Sequence, residues 1–307
     1  MRETPPILDR PRVPPVPVVP DRLRHGVFRG STAVGQCLLT PNQLRGPAWR
    51  RLFQDVYIHV DRPVSHALRA RAAAAMVVPG AVVTGRSAAV LLGLELAGPD
   101  DEVELTVSPS CHPRRVPGLR VRRAALPAEH VQRREGVAVT TAAATAVRLA
   151  GSLRGDDGVV AVDRLAAAGL VHLDAVRALA GRARGPGSAR ARSVCALADG
   201  LAGSPQETRL RLLIGRGRLP PPIAQFTIRV GDHFVARVDF AWPERRAAVE
   251  YDGLWHAEPG QFARDRRRLN RLHAAGWRVF FVTAADLSDP GRLVTRLADF
   301  YDASDVR

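Results

Sequence analysis

Apolar and polar positions along the chain change period several times, and each change marks an element. Ala33, Val34, Cys37, Leu38 and Leu39 recur at helical spacing. Thr40-Pro41-Asn42-Gln43 predicts the next helix start, with Thr40 as N-cap, Pro41 at the first helical position and Gln43 closing a capping box; this short helix runs through Leu44. Over Trp49–Val60 the period drops to two, with Val56, Ile58 and Val60 alternating against Tyr57 and His59, as in a strand pair. Helices are expected from about Ser65 to Val77 and Ser87 to Leu94, and strands around Glu102–Val107 and Leu119–Arg122, where Val103, Leu105 and Val107 turn one face to a core. Residues 142–180 read as two or three helices rich in Ala, Leu and Val.

The last third has the sharpest pattern. Ser204-Pro205-Gln206-Glu207 is a capping signal ahead of an apolar-periodic helix to about Ile214. A strand over Gln225–Val230, a turn at Gly231-Asp232, a strand through Phe240, a turn at Pro243-Glu244-Arg245 and a strand over Ala247–Asp252 follow. Gln261–Ala275 is then a helix stopped by Gly276, with Phe262, Leu269 and Leu272 as its apolar stripe, and Trp277–Thr283 a buried strand. The order of elements predicts an α/β (α+β) multidomain chain.

Length and composition set the divisions. At 307 residues two or three domains are expected. Seven prolines in the first twenty residues predict an extended, unpacked tail over 1–25. A helix–turn–helix and strand pair occupy 26–61, an αβ domain with a helical connector 62–180, a Gly- and Arg-rich linker 181–203, and the last domain 204–301. No run approaches a membrane span and the N-terminus lacks a signal peptide's apolar stretch, so a soluble, cytoplasmic protein with no membrane partner is expected. Cys37, Cys111 and Cys195 are far apart, without a CxxC pair.

Charge changes the picture more. The net charge is +15 and all 45 basic residues are arginine. A GC-rich coding sequence explains arginine in place of lysine, but not the excess of base over acid, which is the footprint of a polyanion. Between residues 22 and 134 there are 17 arginines against 8 acids. Helix, turn, short helix and an arginine-rich strand pair form the outline of a winged helix-turn-helix. In that geometry the helix carrying Gln43 and Arg45 would enter the major groove of duplex DNA, with Arg50 and Arg51 on phosphates.

Candidate chemistry lies in residues 204–283. Alternation puts Asp239 on one face of its strand with Arg237, and Glu250 with Asp252 on one face of the next, while Val238, Phe240, Val249 and Tyr251 take the apolar side. Antiparallel pairing across the turn brings Asp239 beside Glu250. Carboxylates converging in this way repel without a cation, and hard oxygen ligands suit Mg²⁺ or Mn²⁺. His256 follows closely enough to accept a proton from water. Arg264, Arg268 and Arg271 fall at i, i+4 and i+7, a positive row suited to a phosphate backbone. Glu207 is explained equally by helix capping and by a place in the site.

Two resemblances follow from these residues. "LLTPNQL", the strand ending "DVYIHV" and "GAVVTGRSAAVLLGL" make residues 27–180 similar to the AbiEi-type antitoxins of type IV toxin–antitoxin systems, which implies DNA binding by a winged helix beside an αβ domain. "RVDFAWPERRAAVEYDGLWH" with "FARDRRRLNRLHAAGWRVFFVTAADL" resembles the PD-(D/E)XK nuclease superfamily, in the branch similar to very-short-patch-repair endonucleases. The second resemblance implies a restriction-endonuclease-like mixed sheet flanked by helices, with metal on Asp239 and Glu250. It further implies assistance from Glu207 and a place for His256 near the scissile phosphate. The superfamily's lysine position is Asp252 here, and the chain has no lysine to replace it, which leaves the general base open. Two functions follow: a metal-dependent DNA endonuclease, or an inactive DNA-binding regulator or antitoxin. A toxin or repair protein as a further partner stays open.

Overall fold

The structure is a computed structural model; it describes residues 19–253 and 261–303, with side chains omitted at 261–263 and 265. The chain is α+β. It divides into two compact units, Met1–Val83 with Ala97–Ala125 and Arg133–Ala138, and Thr84–Leu96 with Leu126–Gln132 and Val139–Arg307. No helix of the described residues is long and apolar enough to cross a membrane.

The first unit opens with α1 (Asp21–Arg24), β1 (Phe28–Arg29), α2 (Gly30–Gly35), α3 (Pro41–Leu44), β2 (Trp49–Phe53) and β3 (Val56–His59). Thr40 and Gln43 form the expected reciprocal capping box on α3. The three strands pair in the order β1-β3-β2. Gly30 sits where a Cβ would come within 2.6 Å of Leu44 and 2.7 Å of Tyr57, so a side chain there would push α2, α3 and β3 apart. The expected unpacked tail ends sooner than residue 25. Leu23, one turn into α1, is buried against Ala33, Leu39, Ala48 and Trp49, and that apolar contact docks a segment which the preceding prolines made look free.

Next come α4 (His66–Ala72), which runs on as a π-helical turn over Ala73–Val77, then β4 (Val82–Val83), α5 (Gly85–Leu91), β5 (Val103–Val107), β6 (Leu119–Arg123), β7 (Val131–Arg134) and β8 (Val137–Thr140). These strands form a sheet in the order β6-β5-β4-β8-β7, with β6 at an outer edge and parallel to β5. All five residues of β5 are buried, Glu104 and Thr106 included, where alternation had predicted one core face. A strand inside a covered sheet has no solvent side.

In the second unit α6 (Ala142–Ser152), α7 (Asp157–Ala167), α8 (Leu173–Arg182) and α9 (Ser188–Leu197) pack with α5 around Ala89, Leu149, Val162, Leu165, Val176 and Cys195. The stretch expected to be a linker, 181–203, therefore contains a packed helix. Ala191, Val194 and Cys195 repeat at i, i+3 and i+4 between its glycines and arginines, and that stripe is buried. Leu212 of the next helix joins the same cluster, so the chain does not separate at 181–203.

The rest of the unit holds α10 (Pro205–Arg216), β9 (Ile223–Val230), β10 (His233–Trp242), β11 (Ala247–Tyr251), α11 (Gln261–Ala274), β12 (Arg278–Val282), α12 (Ala284–Leu287) and α13 (Pro290–Asp302). The sheet order is β12-β11-β10-β9; β10 is antiparallel to both neighbours, and β11 is parallel to β12. The parallel pair needs a crossover, and α11 lies within it. Leu210, Ile214, Leu293 and Leu297 from α10 and α13 pack on Phe240, Trp242 and Val249. Leu272 of α11 packs in a second cluster with Val238, Ala241 and Ala248. Val238 thus falls in a different cluster from Phe240, with which alternation had grouped it, and helices cover both faces where a half-buried hairpin was expected.

Candidate active site

The site forms where α10, β10, β11 and α11 meet. Phe240 pairs with Val249 in the antiparallel ladder, and Asp239 and Glu250 are the next residues of the two strands beyond that pair. Asp239 is half-buried, and its Oδ2 accepts the Tyr251 backbone N–H at 2.8 Å. Burial pushes its carboxyl up from the ordinary 3.8 to about 6. The Tyr251 bond opposes that rise, the charges of Glu207 and Glu250 add to it, and Arg268 offsets part of it. Asp239 therefore feels carboxylates from two other elements, which is the convergence expected from the sequence.

Glu207 enters from the first turn of α10. Ser204 Oγ accepts the Glu207 N–H at 3.2 Å, as a cap should. The Glu207 side chain does not return to the N-cap N–H, so the capping box is only half made. Its Oε2 accepts instead from Gly203 N–H at 2.8 Å and from Gln225 Nε2 at 2.9 Å. Both bonds fall on one oxygen, and Oε1 takes no part in them. Glu207 is buried, at 8% exposure, which a carboxylate with only a capping role does not require.

Glu250 has a partner that alternation did not reveal. Arg268 of α11 grips it with both nitrogens, Nη1 to Oε2 at 2.6 Å and Nη2 to Oε1 at 2.7 Å, and Nη2 also donates to the Arg237 carbonyl at 2.7 Å. Arg268 was expected in a solvent-facing row with Arg264 and Arg271. Those two are exposed, but Arg268 turns toward the carboxylates, because a half-buried acid holds a guanidinium in a charge-assisted, two-pronged bond. Asp252 is exposed just past β11, its backbone N–H donating to Val282 O at 2.8 Å. His256 lies outside the described residues. Among the described residues, no group of three or more His, Cys, Asp and Glu is already arranged to hold a metal ion.

In the first unit, α3 is a single turn, ended by Gly46-Pro47. The Gln43 carboxamide oxygen caps it, accepting Thr40 N–H at 2.8 Å, and Arg45 donates to Asn42 Oδ1 at 3.1 Å. Arg50 and Arg51 are both exposed although consecutive, and they pair in regular register with Ile58 and Tyr57.

Two positioning residues carried no sequence signal. Gln225 adopts φ +52 inside β9, a left-handed conformation that costs about 1–3 kcal/mol for a non-glycine residue, and its carboxamide meets Glu207 from there. Asp163 of α7, 1% exposed, accepts Asp199 and Gly200 N–H on Oδ1, both at 2.9 Å. Its Oδ2 takes the Thr208 hydroxyl at 2.9 Å and Arg211 at 2.8 Å. Asp163 thereby pins the start of α10, next to Glu207. A lone Asp in an Ala- and Val-rich helix gives no hint of that role.

Comparison with known proteins adds relatives but no function. No family model matches the chain. Over 175 residues the chain is 34% identical to two Mycobacterium tuberculosis proteins, the uncharacterized proteins MT2308 of strain CDC 1551 and Rv2248 of strain H37Rv. The match spans 56% of this chain and 65% of each relative. Among solved structures, the crystal structure of the RV2827C protein from M. tuberculosis aligns at TM-score 0.39 and 16% identity, over 62% of this chain and 76% of that one. A likeness of that strength adds nothing to the fold or the function.

Proposed function

We propose that the chain binds DNA and that its second unit hydrolyses phosphodiester bonds in a Mg²⁺- or Mn²⁺-dependent reaction. The convergence of Glu207, Asp239 and Glu250 from α10, β10 and β11 carries the reading. Three acids against one arginine leave an uncompensated negative charge, which adds to the rise that burial causes in the pKa of Asp239. Hard oxygen donors with excess negative charge fit a divalent cation. Asp239 and Glu250 would hold it, once Arg268 releases a Glu250 oxygen. When bound, such an ion polarises the phosphate and lowers the pKa of water. Glu207, fixed through Oε2, would orient water with Oε1. Arg264 and Arg271, exposed on α11, suit the flanking phosphates. The base is assigned to His256 or Asp252, since arginine stays protonated.

A second reading, an inactive DNA-binding regulator or antitoxin, is favoured by Asp252 in the lysine position and by Arg268 occupying both Glu250 oxygens. Nicking of supercoiled plasmid in Mg²⁺, Mn²⁺ or EDTA separates the two. The nuclease reading expects metal-dependent nicking that Asp239→Ala or Glu250→Ala abolishes while DNA binding persists. Wild type that binds DNA but never cuts it would establish the regulator.

A further inference from the structure

One acid-free basic stretch of the chain has no role in the site above. Residues 105–128 contain five arginines, Arg114, Arg115, Arg120, Arg122 and Arg123, and no Asp or Glu. The fold gathers them. β6 is an outer strand, so one side of its backbone has no strand partner, and the 111–116 loop lies over it. Between them is an open cleft of about 530 Å³, lined by Arg114, Arg115, Arg120 and Arg123 with His112 and Glu102. The Glu102 carboxylate is already used: Arg120 meets it through Nε and Nη2, both at 3.1 Å. Among the described residues no acid pairs with Arg114, Arg115 or Arg123, and all three are exposed.

Three uncompensated guanidinium groups around one cleft repel one another, and an anion with several charges at spaced positions relieves that repulsion. The cleft is open-sided, as an extended chain requires. On its other side the same loop lines a second cleft of about 630 Å³ that reaches Arg29 and the β2–β3 turn at Gln54 and Asp55. The arginine loop therefore adjoins the hairpin that carries Arg50 and Arg51.

We infer that the cleft between β6 and the 111–116 loop is a phosphate-backbone site for a nucleic-acid strand, with Arg114, Arg115 and Arg123 as its contacts. The inference rests on the DNA-binding part of the proposed function and extends it to a surface outside the helix–turn–helix. Arginines on an open sheet edge also discourage edge-to-edge pairing, and the test separates that role from binding.

The test uses the full chain in EDTA, with fluorescence anisotropy on a labelled 20-base-pair duplex across a NaCl series. The variant is R114Q/R115Q/R123Q, which spares the Arg120–Glu102 pair. Each lost phosphate contact flattens the slope of log K against log[salt] by about 0.9, so the triple variant should lose about 2–3 from the slope and bind about 10–100-fold more weakly at low salt. Its melting temperature should match wild type. An unchanged slope and affinity overturns the inference, and variant self-association with normal binding assigns the arginines to edge protection. Competition by millimolar inorganic phosphate as effective as by duplex overturns the polynucleotide occupant. If wild type itself fails to bind duplex, the DNA-binding reading has failed; if wild type binds and the variant is unchanged, only this inference has.

Discussion

Asp239→Asn removes a charge that the folded second unit carries at a cost. The folded carboxyl titrates at about 6 against an ordinary 3.8, so on raising the pH the unfolded chain gives up its proton first. Stability from this group is complete below pH 3.8 and is lost as pH rises through about 6. At about 1.36 kcal/mol per pH unit the gap sets a ceiling near 3 kcal/mol, and screening at a half-exposed carboxylate halves it to about 1.5 kcal/mol. Asn keeps an oxygen for the Tyr251 N–H, so the bond at 2.8 Å survives and only the charge goes. In EDTA at pH 7.5 the variant should therefore melt about 3–6 °C higher than wild type, for a unit of this size. At pH 4.5, where folded wild type is already neutral, about a third of that gain should remain. Thermal melts at the two pH values measure both. A variant that melts lower at pH 7.5, or gains equally at both, refutes the account of a repelled, desolvated carboxylate.

Mn²⁺ at about a hundredfold over its Kd should stabilise wild type by about 2.7 kcal/mol and leave Asp239→Ala and Glu250→Ala unshifted, read by melting with and without metal. Arg268→Gln should lower the metal-free melting temperature, because Glu250 loses both charged bonds from its one guanidinium partner, a cost of about 1–3 kcal/mol. The same variant should bind Mn²⁺ more tightly by calorimetry, since the competing cation is gone. Deleting residues 1–18 should leave urea unfolding of the first unit unchanged, whereas Leu23→Ala should cost about 2 kcal/mol or more through the lost packing on Ala33 and Trp49.

What the sequence made legible was local. The capping box at Thr40 depends on four adjacent residues, and the Asp239–Glu250 approach on strand alternation plus a tight turn; both follow from spacing alone. The misses depended on distance. Arg268 looked like one of a solvent row because only the crossover from β11 to β12 brings α11 over Glu250. Asp163 acts on Thr208 and Arg211, more than forty residues away, and no periodicity carries such a link. Gln225 is an ordinary strand residue until its left-handed φ is seen. Glycine and arginine at 181–203 hid a buried stripe of three small residues, since composition reports the exposed majority of a short helix.

Asp239 and Glu250 are proposed to make one divalent-cation site, with Glu207 beside it. Anomalous diffraction from crystals soaked in Mn²⁺ tests it most directly. The account predicts a peak bonded to carboxylate oxygens of Asp239 and Glu250, with Arg268 drawn off at least one Glu250 oxygen. Crystals that take up Mn²⁺ only elsewhere, or keep the Arg268–Glu250 pair intact at saturating metal, would contradict it.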